Sequence, residues 1–272
     1  MINVAAIQMV STDTVAENLE LAGKLISEAV SKQAKLVTLP ENFPLMGKED
    51  SERLAIQEAF SAGPIQSFLS DQAKQHQIYL LGGTIPLQSD KPEKVFPASL
   101  LYDPKGDCIA HYNKIHLFDV LVDEESDESY RESDNFEPGE EIVVAKTEIG
   151  NIGLSVCYDL RFPELYRKMH KDDVQIITVP SAFTAKTGEA HWESLLKTRA
   201  VENLCYIIAS NQGGTHINER ETWGHSMIVD PWGTVLASVD KGAGIAIAAI
   251  DLEKQTRLRK MFPALTHMKI DI

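Results

Sequence analysis

The chain has 272 residues, of which 43% are hydrophobic, enough for one large domain or two small ones with a sizeable core. Its formal charge of −14 and the lack of any Lys/Arg cluster exclude a phosphate-neutralising surface, so no nucleic acid partner is expected. Met1-Ile-Asn-Val opens directly into a strand-like run without a basic leader, and no apolar stretch approaches the roughly eighteen residues that span a bilayer, so a soluble, cytoplasmic protein with no membrane partner is expected.

In chain order, Val4 to Met9 is a short apolar segment, and Val15 to Ala34 follows with Leu19, Leu21, Ala22, Leu25, Ile26, Ala29 and Val30 in helical spacing. Leu36 to Leu39 resumes as a strand, so the β-α-β order predicts a parallel pair with a right-handed crossover. Pro40-Glu41-Asn42-Phe43-Pro44 follows at once, which puts Glu41 on a proline-stiffened loop past the carboxyl end of that strand. Ser51 to Phe60 and Pro64 to His76 read as helices, the second opened by Pro64 in its first turn, and Ile78 to Thr84 reads as a strand. Ala98 to Tyr102 and Cys108 to Tyr112 flank the turn sequence Asp103-Pro-Lys-Gly-Asp107 and predict a hairpin; Lys114 comes directly after it, among apolar neighbours. Asp123 to Asp134 is acidic and aperiodic, which predicts a loop and mobile cover over a site, or else a solvated acidic face.

Ile142 to Lys146 and Ile152 to Val156 read as strands, the latter leading to Cys157, and Phe162 to His170 as a short helix. After a strand at Val174 to Val179, Pro180 to Gly188 reads as a loop. Glu189 to Asn203 reads as an amphipathic helix with Trp192, Leu195, Leu196 and Val201 inward. Cys205 to Ala209 is a strand whose thiol belongs to the core. Trp223 to Val229 and Thr234 to Val239 predict a second hairpin around Asp230-Pro-Trp-Gly233, and Ile245 to Ile250 a last strand before a basic helix from Leu252. Two similar alternating halves without a Pro/Gly/Ser-rich linker predict one domain of the α/β class, a four-layer α-β-β-α sandwich around two mixed β-sheets.

Three widely spaced cysteines, Cys108, Cys157 and Cys205, suit a reducing compartment, and no CxxC, HExxH, GxxxxGK or GxGxxG pattern announces a metal or nucleotide site. Cys157 falls where a buried strand meets a helix start near Pro163, the strand-turn-helix arrangement that exposes a nucleophile beside backbone N–H groups. Taken singly, each candidate has a plain alternative: Cys157 as a small buried hydrophobe, Glu41 as a solvated carboxylate, Lys114 as a snorkelling surface lysine. Taken together, all three closely follow predicted strands, at the edge where open α/β sheets bind ligands. There a carboxylate can take the thiol proton and an ammonium can hold the oxyanion formed on a carbonyl. A Cys–His pair with His116, His191 or His225 is the rival arrangement.

Pro40-Glu41-Asn42, Tyr112-Asn113-Lys114-Ile115-His116-Leu117-Phe118 and Cys157-Tyr158-Asp159-Leu160-Arg161-Phe162-Pro163-Glu164 resemble, in order, the three signature blocks of the nitrilase superfamily of carbon–nitrogen hydrolases. The resemblance implies an αββα fold and a triad with Glu41 as general base and acid, Lys114 as oxyanion stabiliser and Cys157 as nucleophile. It also implies a second glutamate after the lysine, for which Glu132 fits, with Glu128 nearby. The backbone N–H of Tyr158 would share the oxyanion, Arg161 would clamp a substrate carboxylate unless it pairs with Glu164 or Asp159, and Phe183 and Thr187 would line the pocket. No cofactor and no metal are implied. The partner is a small-molecule amide substrate, and family habit suggests a homodimer or higher homo-oligomer.

Within the superfamily the chain is most similar to the Nit branch, whose members act on deaminated glutathione or, as ω-amidases, on monoamides of 2-oxo-dicarboxylic acids. Asn211 to His216 and Thr222 to Gly233 resemble the deaminated-glutathione type more, although Gly213-Gly214 stands where that type often has Cys-Gly or Thr-Gly. An ω-amidase, or a non-catalytic carboxylate-binding protein on the same fold, is the alternative.

Overall fold

The computed structural model describes residues 1–123 and 128–270. The first half runs β1 (Ile2–Gln8), α1 (Val15–Ser31), β2 (Ala34–Thr38), a 3₁₀ turn (Asp50–Ile56), α2 (Pro64–His76), β3 (Tyr79–Leu81), β4 (Ile85–Gln88), β5 (Val95–Tyr102) and β6 (Cys108–Asn113). A small antiparallel hairpin follows, β7 (Asp119–Asp123) with β8 (Glu128–Arg131). The second half runs β9 (Val144–Thr147), β10 (Gly150–Leu154), a 3₁₀ turn (Cys157–Arg161), α3 (Pro163–Met169), β11 (Ile176–Thr178), α4 (Ala185–Asn203), β12 (Tyr206–Ala209), β13 (Met227–Val229) and β14 (Val235–Ser238). β15 (Gly244–Ile250) then returns to pair antiparallel with β1, and α5 (Leu252–Met261) follows.

Two mixed sheets result, one ordered β15-β1-β2-β3-β5-β4 with β6 also on β5, the other β14-β13-β12-β11-β10-β9. In each, a parallel trio lies at the centre: β1-β2-β3 in the first, β12-β11-β10 in the second. The period-2 alternation of the strands divides their side chains between two cores. Val4 and Ala6 of β1 join the core between the sheets, whereas Ala5 and Ile7 pack with Ala22, Leu25 and Ile26 of α1. On the far side Trp192, Leu196 and Ala200 of α4 cover the second sheet, completing four layers. Each such fully buried large apolar side chain contributes about 1.5–3 kcal/mol, so the cores hold the fold, and exposed helix pairs such as Lys24–Glu20 add little. No helix among the described residues is long and apolar enough to cross a membrane.

A polar seam joins the sheets where the parallel strands end. Thr38 Oγ1 and Ser210 Oγ lie 2.6 Å apart, and Ser210 Oγ also donates to the Thr38 carbonyl. Gln8 receives the Ser226 N–H at 2.8 Å, and Gln212 Nε2 donates to Ser11 Oγ at 2.8 Å. All are buried, so each must be paired inside the protein, which fixes the register of one sheet against the other.

Four segments depart from the sequence reading. The helix expected at Ser51 to Phe60 is a 3₁₀ turn ending at Ile56, because Glu58 is drawn away: its backbone pairs with Pro86 and Gln88, and its carboxylate accepts the Ile65 and Gln66 N–H groups at the start of α2. The loop expected at Asp123 to Asp134 contains strand β8 and a 3₁₀ turn (Glu132–Asp134), with β8 paired to β7; its residues 124–127 lie outside the described residues. α4 begins at Ala185 with Thr184 as its N-cap, which puts Thr187 in a helical first turn rather than on a loop. Its buried face is Gly188, Trp192, Leu196, Arg199, Ala200 and Asn203; Val201 points outward and is 46% exposed.

Gly83 tests how tightly the loop after β2 is held. It adopts φ +54°, and a Cβ there would lie 2.0 Å from the Pro40 carbonyl oxygen, one residue from Glu41. Gly83→Ala is expected to destabilise the protein by more than about 2 kcal/mol, from left-handed strain plus the clash, as measured by the denaturant midpoint.

Candidate active site

The carboxyl ends of the central strands deliver the candidate residues to one place. Glu41 lies three residues past β2, its carbonyl accepting Gln212 Nε2 at 3.1 Å, while the next residue, Asn42, has φ +56° and donates its N–H to Thr84 Oγ1 at 2.8 Å. Lys114 leaves β6 with its N–H donated to Pro97 and its carbonyl accepting from Gly139. Cys157 follows β10 and adopts φ +46°, a left-handed conformation that costs a non-glycine residue about 1–3 kcal/mol and is retained only where surroundings enforce it. Here the Cys157 N–H donates to the Pro180 carbonyl at 2.8 Å, and Arg199 of α4 donates through Nε and Nη2 to the Leu160 carbonyl at 3.0 and 2.7 Å.

Asp159 binds this turn to the lysine segment. Its buried carboxylate accepts the Val156 N–H at 2.8 Å, the Tyr112 hydroxyl at 2.7 Å and the His116 N–H at 3.1 Å, with His116 Nδ1 at 2.7 Å. His116 also stacks on Phe162, with centroids 3.7 Å apart.

Lys114 Nζ lies 2.8 Å from Glu41 Oε1 and 2.9 and 2.7 Å from the two oxygens of Glu132. Glu41 Oε2 accepts the Ala182 N–H at 2.9 Å, and Glu132 Oε2 the Phe118 N–H at 2.7 Å. The Cys157 thiol meets the Glu41 carboxylate and the backbone of Ala182. Glu41, Lys114 and Cys157 are 3%, 1% and 8% exposed, so an ammonium and a carboxylate are held almost without water.

Burial works against every charge here, and the neighbours decide the outcome. For Glu41, burial acts upward, but Lys114, the Cys157 thiol and Arg220 outweigh it and hold the carboxyl below the usual range. For Glu132, burial and the Glu41 charge outweigh Lys114 and push it up. Burial acts to lower Lys114, yet Glu132, Glu41 and Cys157 raise it, so the ammonium is permanent. Burial and the Glu41 charge push the Cys157 thiol well above its ordinary value. At rest the site therefore holds a thiol beside a carboxylate and an ammonium.

All eight residues singled out from the sequence line one cavity. Arg161 meets neither Glu164 nor Asp159. It lies 5.8 Å from the Tyr158 ring centroid and 5.5 Å from that of Phe183, with Nη1 3.3 Å from His191 Nδ1. The Thr187 hydroxyl is 2.8 Å from that of Thr184. Of the rival histidines, His116 pairs with Asp159, His191 with Arg161, and His225 Nδ1 with the Trp223 carbonyl; none lines the cavity. The side chain of Glu128 lies outside the described residues. Arg53, Tyr130 and Arg220 also line the cavity, without a local sequence signal. No group of three or more potential metal-ligating side chains occurs among the described residues.

Lys114→Met is expected to destabilise the fold by about 3–5 kcal/mol at neutral pH, because it leaves two buried carboxylates without a cation. Their folded pKa values would then rise above the unfolded value, so the penalty exists above the raised values and is lost as pH falls through them toward 4.5, the ordinary carboxyl value. Denaturant midpoints of variant and wild type should converge in that direction. Independently, thiolate ultraviolet absorbance of Cys157 should appear only above its ordinary value of 9.0, and Glu41→Gln should lower that midpoint by removing a negative neighbour.

The family model of carbon-nitrogen hydrolases matches residues 3–260. A Synechocystis protein named deaminated glutathione amidase is 42% identical over 266 residues, covering 97% of this chain and 96% of the relative. Its Rattus norvegicus namesake is 39% identical, covering 99% and 83%. Among solved structures, the Caenorhabditis elegans NitFhit protein superposes with a TM-score of 0.90 at 36% identity; the match covers 98% of this chain but only 65% of that longer one. Saccharomyces cerevisiae Nit3, of branch 10 of the nitrilase superfamily, superposes with a TM-score of 0.86 at 29% identity, covering 99% and 97%. The chain belongs to the carbon-nitrogen hydrolase family.

Proposed function

We propose that the protein is an amidase that hydrolyses deaminated glutathione through a thioester on Cys157. The observation that carries this reading is the buried Lys114 ammonium held between Glu41 and Glu132 beside the Cys157 thiol. A binding protein has no use for that combination, whereas acyl transfer uses each part. Glu41 takes the thiol proton as sulfur attacks the amide carbon. The alternative, free thiolate, is disfavoured by burial and by Glu41 itself, so proton transfer and attack occur together. Lys114 and the Tyr158 N–H, which lies in the first turn of a 3₁₀ segment where N–H groups lack helical acceptors, hold the developing oxyanion.

As the C–N bond breaks, Glu41 gives its proton to the departing amine. Water then gives a proton to Glu41 and attacks the thioester; the C–S bond breaks, the acid is released and Glu41 returns its proton to the Cys157 sulfur. Glu132 anchors Lys114, which otherwise swings between thiol and carboxylate. Arg161 binds a carboxylate of the acyl group, flanked by Phe183 and Thr187. The chain acts as a single hydrolase domain, without a cofactor, as a cytoplasmic homodimer or higher homo-oligomer. Relatives sharing the name of that activity over nearly their whole length support the substrate over 2-oxoglutaramate.

The deciding experiment is a substrate panel with mass spectrometry. Wild-type protein should hydrolyse deaminated glutathione faster than 2-oxoglutaramate and carry the acyl adduct on Cys157. Cys157→Ala should lose turnover and adduct, and Glu41→Gln should slow it by at least about 10²-fold. Faster turnover of 2-oxoglutaramate would make the protein an ω-amidase; turnover persisting in Cys157→Ala would discard the nucleophile; binding without turnover by the wild type would favour a carboxylate-binding protein.

A further inference from the structure

Arg220, one of three guanidinium groups lining the cavity with Arg53 and Arg161, makes and breaks no bond in that chemistry, although its charge helps hold the Glu41 carboxyl below the usual range. Arg220 comes from the segment after β12, which is closed on itself by the bridge Thr215–Glu221 and fastened beside the start of α4 by the bridge Thr184–Thr222. Its Nη2 donates to the Ala182 carbonyl at 2.7 Å, and its Cζ lies 4.8 Å from the Tyr130 ring centroid. Nε is buried with no hydrogen-bond partner, and Arg220 forms no ion pair with any carboxylate among the described residues. A lone buried N–H on a permanently charged group is a cost that a bound anion would remove.

Position says which part of the substrate that anion belongs to. The backbone of Ala182 accepts from Arg220 at its carbonyl and donates to Glu41 from its N–H. Glu41 faces the departing nitrogen, since it supplies that nitrogen's proton. Arg161, by contrast, lies in the nucleophile's own turn, against Tyr158 and Phe183, on the acyl side. The two arginines therefore serve opposite ends of the scissile bond.

We propose that Arg220 is a specificity residue that binds a carboxylate carried by the leaving amine, so that the site prefers amides of carboxylate-terminated amino acids or peptides to primary amides that release ammonia. This rests on the amidase reading above. In the step concerned, the C–S bond forms, the C–N bond breaks and the proton from Glu41 goes to nitrogen; Arg220 changes none of these and acts by holding the leaving group. Deaminated glutathione carries a carboxylate on its 2-oxo-acyl part and a second on its departing cysteinylglycine, whereas 2-oxoglutaramate has only the first.

The test compares three substrates: 2-oxoglutaryl-cysteinylglycine, the same peptide with a C-terminal carboxamide, and 2-oxoglutaramate. In Arg220→Gln, kcat/KM for the first should fall about 30-fold, chiefly through KM, as expected for losing a charge-assisted fork on a carboxylate. The other two should change less than about 3-fold. Arg220→Lys should recover part of the loss, and Arg161→Gln should impair all three. Equal losses on all three substrates in Arg220→Gln would overturn the proposal and leave Arg220 as a support for Ala182. If Arg220→Gln fails to fold, the wild type decides: preference for the acid over its carboxamide supports the proposal, and no preference overturns it. If wild type hydrolyses none of the three, the amidase reading fails, and calorimetric titration of the two peptides decides the Arg220 claim: tighter binding of the acid, lost in the variant, supports it, and equal binding overturns it.

Discussion

A lysine ammonium buried to 1% exposure is the constraint from which the rest of this architecture follows. Stripping its hydration costs several kcal/mol, which only close anionic partners can offset. Glu41 and Glu132 supply them, but each carboxylate is itself buried and needs the ammonium, together with one backbone N–H apiece, from Ala182 and Phe118. None of these charges would be tolerable alone. The site thus exists only when the first sheet, the hairpin after β6 and the loop after β11 are all in place. The polar seam between the sheets, Thr38 to Ser210 and Gln212 to Ser11 and Glu41, sets that distance through bonds too short to slide.

Cys157 is positioned with similar redundancy. A left-handed cysteine would relax if free to do so. It is held at its N–H by Pro180, at the far end of its turn by Arg199, and at its centre by Asp159, which also grips Tyr112 and His116 on either side of Lys114. The Asp159 carboxylate therefore couples sulfur and ammonium into one rigid unit. For the proposed acyl transfer, whose barrier depends on placing an oxyanion against preset donors, such rigidity favours the reaction.

What the sequence disclosed follows from how local each signal is. Alternation and the β-α-β order located most strands, and the residues just past them, Glu41, Lys114 and Cys157, were legible because a strand end is a local property. The parallel pairing of β1 with β2 and the hairpin of β5 with β6 followed the same way. Glu132 was legible only through resemblance, since its meaning depends on a hairpin hidden in an acidic stretch. Val201 reads as inward by its hydrophobicity alone, yet it lies on the opposite side of the helix from Trp192, about half a turn away, and is exposed. Ser51 to Phe60 has helical composition, yet Glu58 finds better partners in β4 and α2, a tertiary preference that no local pattern records. Arg220 lies between a bend and a bridge, amid charged residues that read as exposed loop.

That difference separates catalysis from selection in this molecule. The groups assigned to bond making and breaking, Glu41, Lys114 and Cys157, follow strand ends and are buried, Glu41 and Lys114 paired with each other. The residues proposed to select the substrate come from other segments: Arg161 from the short turn that begins at Cys157, Thr187 from the first turn of α4, Arg220 from the loop after β12. Their contacts are mostly with aromatic faces and single carbonyls, so substitution there alters what the cavity admits without removing a partner of the buried ammonium. A scaffold arranged in this way can keep one reaction and vary the amide it is applied to.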